Sequence, residues 1–243
     1  KLALEPYRKI ALLIDSLGGY GKCAYQVAYF LQQHCGGFVA IVPYYAKSAA
    51  TLLTLGAEAI ILAKSAELGP LDAQLVEGGR IRSALDEVQS AERLQTVALE
   101  AVNQAMGSWP ESSQRSLEFL LPIACHFAAD LMRPCFEKID TIHLTERSRI
   151  VKEAEEYAVR LLDPGYSPLL ADRAASQRAR RIAKALVEKY PVHDFAIGTA
   201  EALGLGLPMV APTANQERIL DQLLPFLYPA TLVAVGQLQE VPK

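Results

Sequence analysis

Metal-binding motifs are missing from this sequence of 243 residues. The four cysteines, Cys23, Cys35, Cys125 and Cys135, form no CxxC pair, and the four histidines show no HExxH spacing. These absences argue against a structural zinc site and indicate free thiols in a reducing compartment. We therefore expect neither a metal nor a cofactor.

A surplus of positive charge is also missing. Lys and Arg number 24 against 27 Asp and Glu, which gives a net charge of −3, so we expect no nucleic acid partner. No unbroken run of about 18 apolar residues occurs, so we expect no membrane span within this sequence. The prediction is a cytoplasmic protein, or one that reaches a membrane only through an N-terminal segment outside this sequence.

The composition is that of a folded domain with a substantial core, because 51% of the residues are apolar and 21% are charged. We interpret residues 1–243 as a single domain. Short apolar runs at 9–14, 38–42 and 59–62 are typical of strands buried on both faces of a parallel sheet. Helical periodicity at 23–33 and 48–56 separates them, which predicts a right-handed βαβαβ unit and an α/β fold.

The rest of the sequence is predicted to be mainly helical, with a helical insertion at about 80–170 and a helical C-terminal region. Residues 108–114 are the best candidate for an exposed linker, and prolines at 122 and 134 are expected to interrupt their helix. The predicted helices are 83–106, 117–136, 149–162 and 172–189, and the predicted late strands are 195–197 and 231–235.

Two turns after the predicted strands have residues suited to catalysis. Gly18 and Gly19 follow the first strand, where glycines permit unusual backbone conformations and close approach of a ligand to main-chain amides. Ser48 precedes the second helix, where the helix dipole favours a developing negative charge. A serine in that position is also a common N-cap, and a diglycine turn is also a plain connection, so both readings stay open.

Four motifs in this order resemble the serine dehydrogenase proteinase family of the Clp protease and crotonase fold, which is related to signal-peptide peptidase A. Residues 16–19 (SLGG) resemble the oxyanion loop of those proteases, and residues 46–49 (AKSA) resemble their nucleophile turn. Residues 65–72 (SAELGPLD) resemble a family signature, and residues 190–207 resemble a closing pattern. The resemblance is dense over 9–75 and 180–210 and poor over 80–170.

The resemblance implies a Clp/crotonase-like spiral of βαβ units and a serine peptidase that acts on polypeptides. Ser48 is then the nucleophile, and the amides of Gly19 and Ala49 form the oxyanion hole. Relatives of this fold assemble, so a homo-oligomer is implied, and the atypical helical middle suggests a regulatory protein partner.

The general base is harder to assign, because the position of the Clp histidine holds none and no lysine occurs between 64 and 138. His193 is the leading candidate, since imidazole is well suited to proton transfer near neutral pH. Asp194 then corresponds to the third member of a triad. Lys64 is a second candidate base, and Asp72 is predicted either to line the site or to cap a helix.

Two other functions are compatible with the same motifs. A crotonase-like acyl-CoA enzyme would use the two oxyanion amides but would need no serine at position 48. A non-catalytic oligomeric scaffold would keep the fold without a base, and the missing lysine and histidine keep this alternative open.

Overall fold

We analysed a computed structural model of the chain, which describes residues 10–109, 116–166, 173–227 and 232–237. The chain forms two compact units, one of residues 74–150 and the other of the residues on either side of that segment. The sequence placed a helical insertion at about 80–170, whereas the compact unit in that region ends at Ile150.

The elements alternate between strand and helix at first and become mainly helical later. The first run is β1 (Ile10–Asp15), α1 (Gly21–His34), β2 (Phe38–Val42), β3 (Tyr45–Ala46), α2 (Ala49–Leu55), β4 (Ala59–Leu62) and β5 (Glu67–Leu68). Next come β6 (Gln74–Glu77), β7 (Arg80–Ser83), α3 (Ala84–Gly107) and α4 (Leu117–Phe136). The last are α5 (Thr141–Leu162), α6 (Ala174–Glu188), α7 (Thr199–Leu205), α8 (Ala214–Leu227) and β8 (Leu232–Gln237).

The main sheet of the first unit has the strand order β4-β2-β1-β8. Strands β1, β2 and β4 are parallel, and β8 runs antiparallel to β1. The predicted βαβαβ unit is therefore confirmed, and the α/β class with it. Its strands are rich in fully buried side chains such as Leu12, Ile14 and Phe38, because helices cover a parallel sheet on its faces.

The carboxyl ends of β1 and β2 lie at the same edge of this sheet because the two strands are parallel. The diglycine turn follows β1, and the Ser48 turn follows β2 and the short strand β3, so parallel pairing brings two distant sequence motifs to one edge. The chain is pinned there by Ser16, whose amide donates to the carbonyl of Tyr45 at 2.9 Å and whose carbonyl accepts from the amide of Lys47 at 3.0 Å.

Several predicted boundaries are wrong. Residues 195–197 form no strand, only an isolated antiparallel bridge between Ile197 and Leu68. Pro122 and Pro134 lie inside a continuous α4, and α5 begins at Thr141 rather than at 149. The late strand is confirmed as β8, and most of the predicted linker 108–114 lies outside the described residues.

The second unit contains a hairpin that the sequence prediction missed. Strands β6 and β7 pair antiparallel around Gly78 and Gly79, whose φ angles of 55° and 76° are those of a tight hairpin turn that requires two residues of positive φ. The Gly-Gly pair is the sequence feature from which this hairpin could have been predicted. Helices α3 and α4 pack against each other in the same unit.

One described helix, α4, is long and apolar enough to cross a membrane by length and composition. The helix has 20 residues and contains an 18-residue window with a mean hydropathy of 1.2, of which 22% is buried. Core helices of soluble proteins satisfy the same two criteria, so the expectation of no membrane span stays a prediction. Its accessible apolar side chains include Ile123, Phe127 and Leu131, which lie on one face because they are four residues apart.

Candidate active site

Ser48 occupies a strained turn between β3 and α2. Its φ of 50° and ψ of −115° make it the one non-glycine residue with positive φ in the part of the chain that the structure describes. A residue with a Cβ pays roughly 1–3 kcal/mol for such a backbone conformation. The sharp turn directs the residue between the end of a strand and the start of a helix, a geometry that serine hydrolases use to present a nucleophile.

The side chain of Ser48 does not act as an N-cap. It makes no capping hydrogen bond at α2, and its Oγ has no hydrogen-bond partner among the described residues. The residue is partly accessible, whereas its neighbours Lys47 and Ala49 are buried. The structure therefore excludes the capping alternative and leaves a hydroxyl group that is accessible and unengaged.

Gly18 of the diglycine turn lies directly against Ser48. A Cβ added to Gly18 would be 3.0 Å from the Ser48 Cβ, 3.1 Å from the Lys47 carbonyl oxygen and 3.6 Å from the Ala49 nitrogen. The φ of Gly18 is 118°, which side-chain-bearing residues rarely adopt. Only glycine therefore fits here without strain, and the two turns predicted from sequence are in contact.

The main-chain amides around this contact differ in their hydrogen bonding. The amide of Gly18 donates to Ser16 Oγ at 3.2 Å. The amides of Gly19 and Ala49 donate to no acceptor within the described ranges. Gly19 is exposed, and nothing lies within 4 Å of the side on which a Cβ would project. The amides that the sequence assigned to an oxyanion hole are thus both without an internal acceptor.

His193 faces a carboxylate, and the carboxylate is that of Asp72. The two side chains are 18% and 12% exposed, and His193 Nδ1 lies 3.6 Å from Asp72 Oδ2. Nδ1 is buried and has no hydrogen-bond partner among the residues that the structure describes. Asp194, which the sequence aligned with the acid of a triad, is exposed instead. The geometry therefore favours Asp72 over Asp194 as the acid beside His193.

Lys64, the second candidate base, is exposed in the turn after β4. A lysine becomes a base when burial disfavours its charge, and this side chain lacks that burial. The structure therefore removes the argument on which that assignment depended.

Residues 4–97 match the family model of the ClpP-like SDH-type serine proteinases. This part of the chain is similar to that family. The matched segment contains the diglycine turn, Ser48 and Asp72, and it ends well before His193. The match therefore covers the candidate nucleophile and the two candidate oxyanion amides but does not cover the candidate base.

Two uncharacterized proteins of Methanocaldococcus jannaschii are similar to this chain. The chain is 23% identical to MJ1495 over 233 residues, which are 96% of this chain and 61% of that protein. It is 26% identical to MJ0137 over 200 residues, which are 82% of this chain and 53% of that protein. The chain thus spans between half and two thirds of these relatives. No solved structure matches it.

A cluster of metal-ligand type lies elsewhere, in the second unit of the chain. Ligand atoms of Glu77, Glu87 and His143 lie within 4.8 Å of one another. Arg147 donates to both glutamates, with Nε 2.7 Å from Glu87 Oε2 and 3.2 Å from His143 Nε2. Burial raises the pKa of Glu87, but hydrogen bonds and charge from Arg147 and His143 outweigh it and lower the pKa overall. The guanidinium therefore takes the place that a cation would need.

A cavity of about 530 Å³ opens in the first unit at the other edge of the main sheet, where the strands begin. It is lined by the end of α1, the residues before β4 and one face of α6, and it contains none of the predicted site residues. We place the candidate site at Ser48 rather than in this cavity, because the strained turn and the amides without described acceptors are at Ser48.

Proposed function

We propose that this protein is a serine peptidase in which Ser48 is the nucleophile. The observation that carries the proposal is the strained Ser48 turn, which packs against Gly18 and has a hydroxyl without a described partner. The amides of Gly19 and Ala49, next in sequence to Gly18 and Ser48, have no acceptor within the described residues. Backbone strain of this kind persists where the surrounding structure maintains it, and it is concentrated at functional sites. The family of residues 4–97 supports the same chemistry.

In this mechanism Ser48 Oγ attacks the scissile carbonyl carbon while His193 takes the hydroxyl proton. The carbonyl oxygen becomes an oxyanion, which accepts hydrogen bonds from the amides of Gly19 and Ala49. The proton then passes from His193 to the leaving amine, and the C–N bond breaks to give an acyl-enzyme. Water, deprotonated by His193, hydrolyses the ester and restores the serine.

Asp72 has the role of orienting His193 in this proposal. Its carboxylate lies on the Nδ1 side of the ring, so a proton on Nδ1 directs the basic lone pair of Nε2 away from Asp72. The 3.6 Å separation is longer than a hydrogen bond, and catalytic hydrogen bonds often tighten only when substrate binds.

The finer features implied by the family resemblance belong to the same proposal. They are a Clp/crotonase-like spiral, assembly as a homo-oligomer, a polypeptide substrate, a regulatory protein partner and a cytoplasmic location. Enclosure in an oligomer would limit proteolysis of other proteins. Comparing the activity of monomers with that of assembled particles tests this, and equal activity contradicts it.

The second candidate function is a non-catalytic scaffold of the same fold. It is favoured by one observation, that Ser48 Oγ makes no hydrogen bond to His193 or to any other described residue. An acyl-CoA enzyme is less well supported, because it would gain nothing from a strained serine at this position.

A fluorophosphonate probe distinguishes these functions, because it phosphonylates activated serines. We expect labelling of the wild-type protein at Ser48 by peptide mapping, no labelling of Ser48→Ala, and unchanged labelling of Ser65→Ala, which alters an exposed serine in a turn. Labelling should be accompanied by hydrolysis of unfolded polypeptide. A folded wild-type protein that takes up no label contradicts the peptidase and supports the scaffold.

A further inference from the structure

Lys47 has a buried ammonium group although it is adjacent to the exposed edge of the candidate site. It lies between Ala46 of β3 and Ser48, and the residue is 5% exposed. A buried charge is costly unless it is paired and hydrogen-bonded. The partners of this side chain therefore determine what it does.

Four acceptors surround the ammonium group. Lys47 Nζ lies 2.6 Å from Glu67 Oε1, an ion pair whose carboxylate side chain is 26% exposed. It also lies 3.3 Å from the carbonyl oxygen of Leu68, 3.2 Å from that of Phe195 and 3.5 Å from that of Asp194. Nζ is the donor in every contact, so Lys47 is held by its acceptors and is not placed to act as a base.

These acceptors belong to two separate parts of the chain. Glu67 and Leu68 form β5, which pairs with β3. Asp194 and Phe195 directly follow His193, and the same segment is held to β5 by two hydrogen bonds between Leu68 and Ile197, at 2.9 and 3.0 Å. Lys47 directly precedes the proposed nucleophile, and its side chain thus connects that turn to the two residues that follow the candidate base.

The path of the Lys47 side chain is closely confined. A Cβ added to Gly69 would be 2.6 Å from Lys47 Cδ and 3.2 Å from its Cα. The buried hydroxyl of Thr51 in α2 holds Gly69 from the other direction, since it accepts from the Gly69 amide at 3.0 Å and donates to the carbonyl of Ala46. Because the Lys47 side chain has so little room, a shift of the Ser48 turn should move the segment after His193 with it.

We propose that Lys47 is a positioning residue that sets the distance and angle between Ser48 and His193. The inference depends on the peptidase proposed above, and it concerns residues that hold the site rather than residues that react. A misplacement of about 1 Å costs on the order of 100-fold in rate, so loss of this connection should be visible in catalysis before it is visible in folding.

The test compares the rate of fluorophosphonate labelling and of peptide hydrolysis in Lys47→Met with the wild type. We expect about a 100-fold loss in both rates for the folded variant, mainly in kcat rather than KM. Lys47→Arg should recover part of this loss because it keeps the charge. Lys184→Met, which changes an exposed lysine of α6, should retain the wild-type rates.

Two further measurements distinguish a loss of positioning from a general loss of stability. Leu161→Ala, a core substitution at the far edge of the sheet, supplies a destabilised protein with an intact site, and its pH–rate profile should keep the wild-type shape. The profile of Lys47→Met should flatten, because a displaced imidazole no longer controls the rate. If Lys47→Met does not fold, Glu67→Gln weakens the same connection and should reduce labelling about tenfold.

The two proposals fail in different ways. Absence of labelling in the wild-type protein overturns the peptidase itself. Labelling of the wild type, together with a folded Lys47→Met that reacts within about twofold of it and has an unchanged pH profile, overturns the positioning role alone.

Discussion

The first prediction concerns the backbone strain at Ser48. Glycine adopts the observed φ of 50° readily, whereas serine adopts it only with strain. We expect Ser48→Gly to abolish activity and to stabilise the protein. The strain is worth about 1–3 kcal/mol. Against this, glycine gives the unfolded chain more freedom, at a cost of about 0.4–1 kcal/mol. The lost hydroxyl matters little, since it makes no hydrogen bond to any described residue.

The net gain is then about 1 kcal/mol, and for a chain of this length that corresponds to a rise in Tm of about 2–4 °C. Thermal unfolding followed by circular dichroism measures it. Ser48→Ala is the informative comparison, because alanine keeps the Cβ and the strain and should melt close to the wild type.

Ser65→Gly provides the matched control, since Ser65 is an exposed turn residue whose φ is not positive. That variant should be neutral or less stable, because it gains unfolded-state freedom and relieves no strain. If Ser48→Gly melts no higher than Ser48→Ala, or falls as Ser65→Gly does, the Ser48 turn is not strained and the argument for a maintained catalytic conformation is refuted.

Three further predictions concern the surroundings of the site and the second unit. Gly18→Ala should slow fluorophosphonate labelling strongly and cost about 1–3 kcal/mol in urea unfolding, because its Cβ would meet the serine turn at 3.0 Å; unchanged labelling would contradict the contact. Asp72→Asn should lower kcat while Asp194→Asn leaves it nearly unchanged, and the reverse order in a kinetic assay would restore the sequence-based assignment. Arg147→Met should destabilise the second unit by about 2–3 kcal/mol at pH 7. This difference in unfolding free energy should shrink as the pH falls below about 4. The reason is that a carboxyl with a lowered pKa, such as that of Glu87, contributes stability only while it is ionised. Urea titrations that show the same difference at every pH would exclude that linkage.

Strain at Ser48, the proposed nucleophile, also gives a role to the glycines packed closely around it. Gly18 and Gly69 each lie where a Cβ would meet the Lys47–Ser48 segment at 3.0 Å or less. Thr51 holds this segment through the carbonyl of Ala46. A conformation that costs free energy persists only when its neighbours over-determine it, and these contacts do so.

Local patterns were enough to predict the three parallel strands, both helices between them and the two turns that meet at the site. Buried apolar runs and helical periodicity depend on nearest neighbours in sequence, and parallel pairing then brings their carboxyl ends together. The two-residue strands β3 and β5 were missed, since they are too short to show any periodicity. The unbroken α4 was missed because the packing of its Leu120–Met132 stripe outweighs the local preference of two prolines.

The sequence by itself therefore determined the α/β unit, the serine after its second strand and the diglycine bend after its first, because each is encoded within a few consecutive residues. Only the tertiary structure decided that Asp72 rather than Asp194 faces His193, and that Lys47 is buried against two distant segments. Such pairings depend on how the chain packs after its elements have formed, and no local spacing records which carboxylate or carbonyl will be the neighbour.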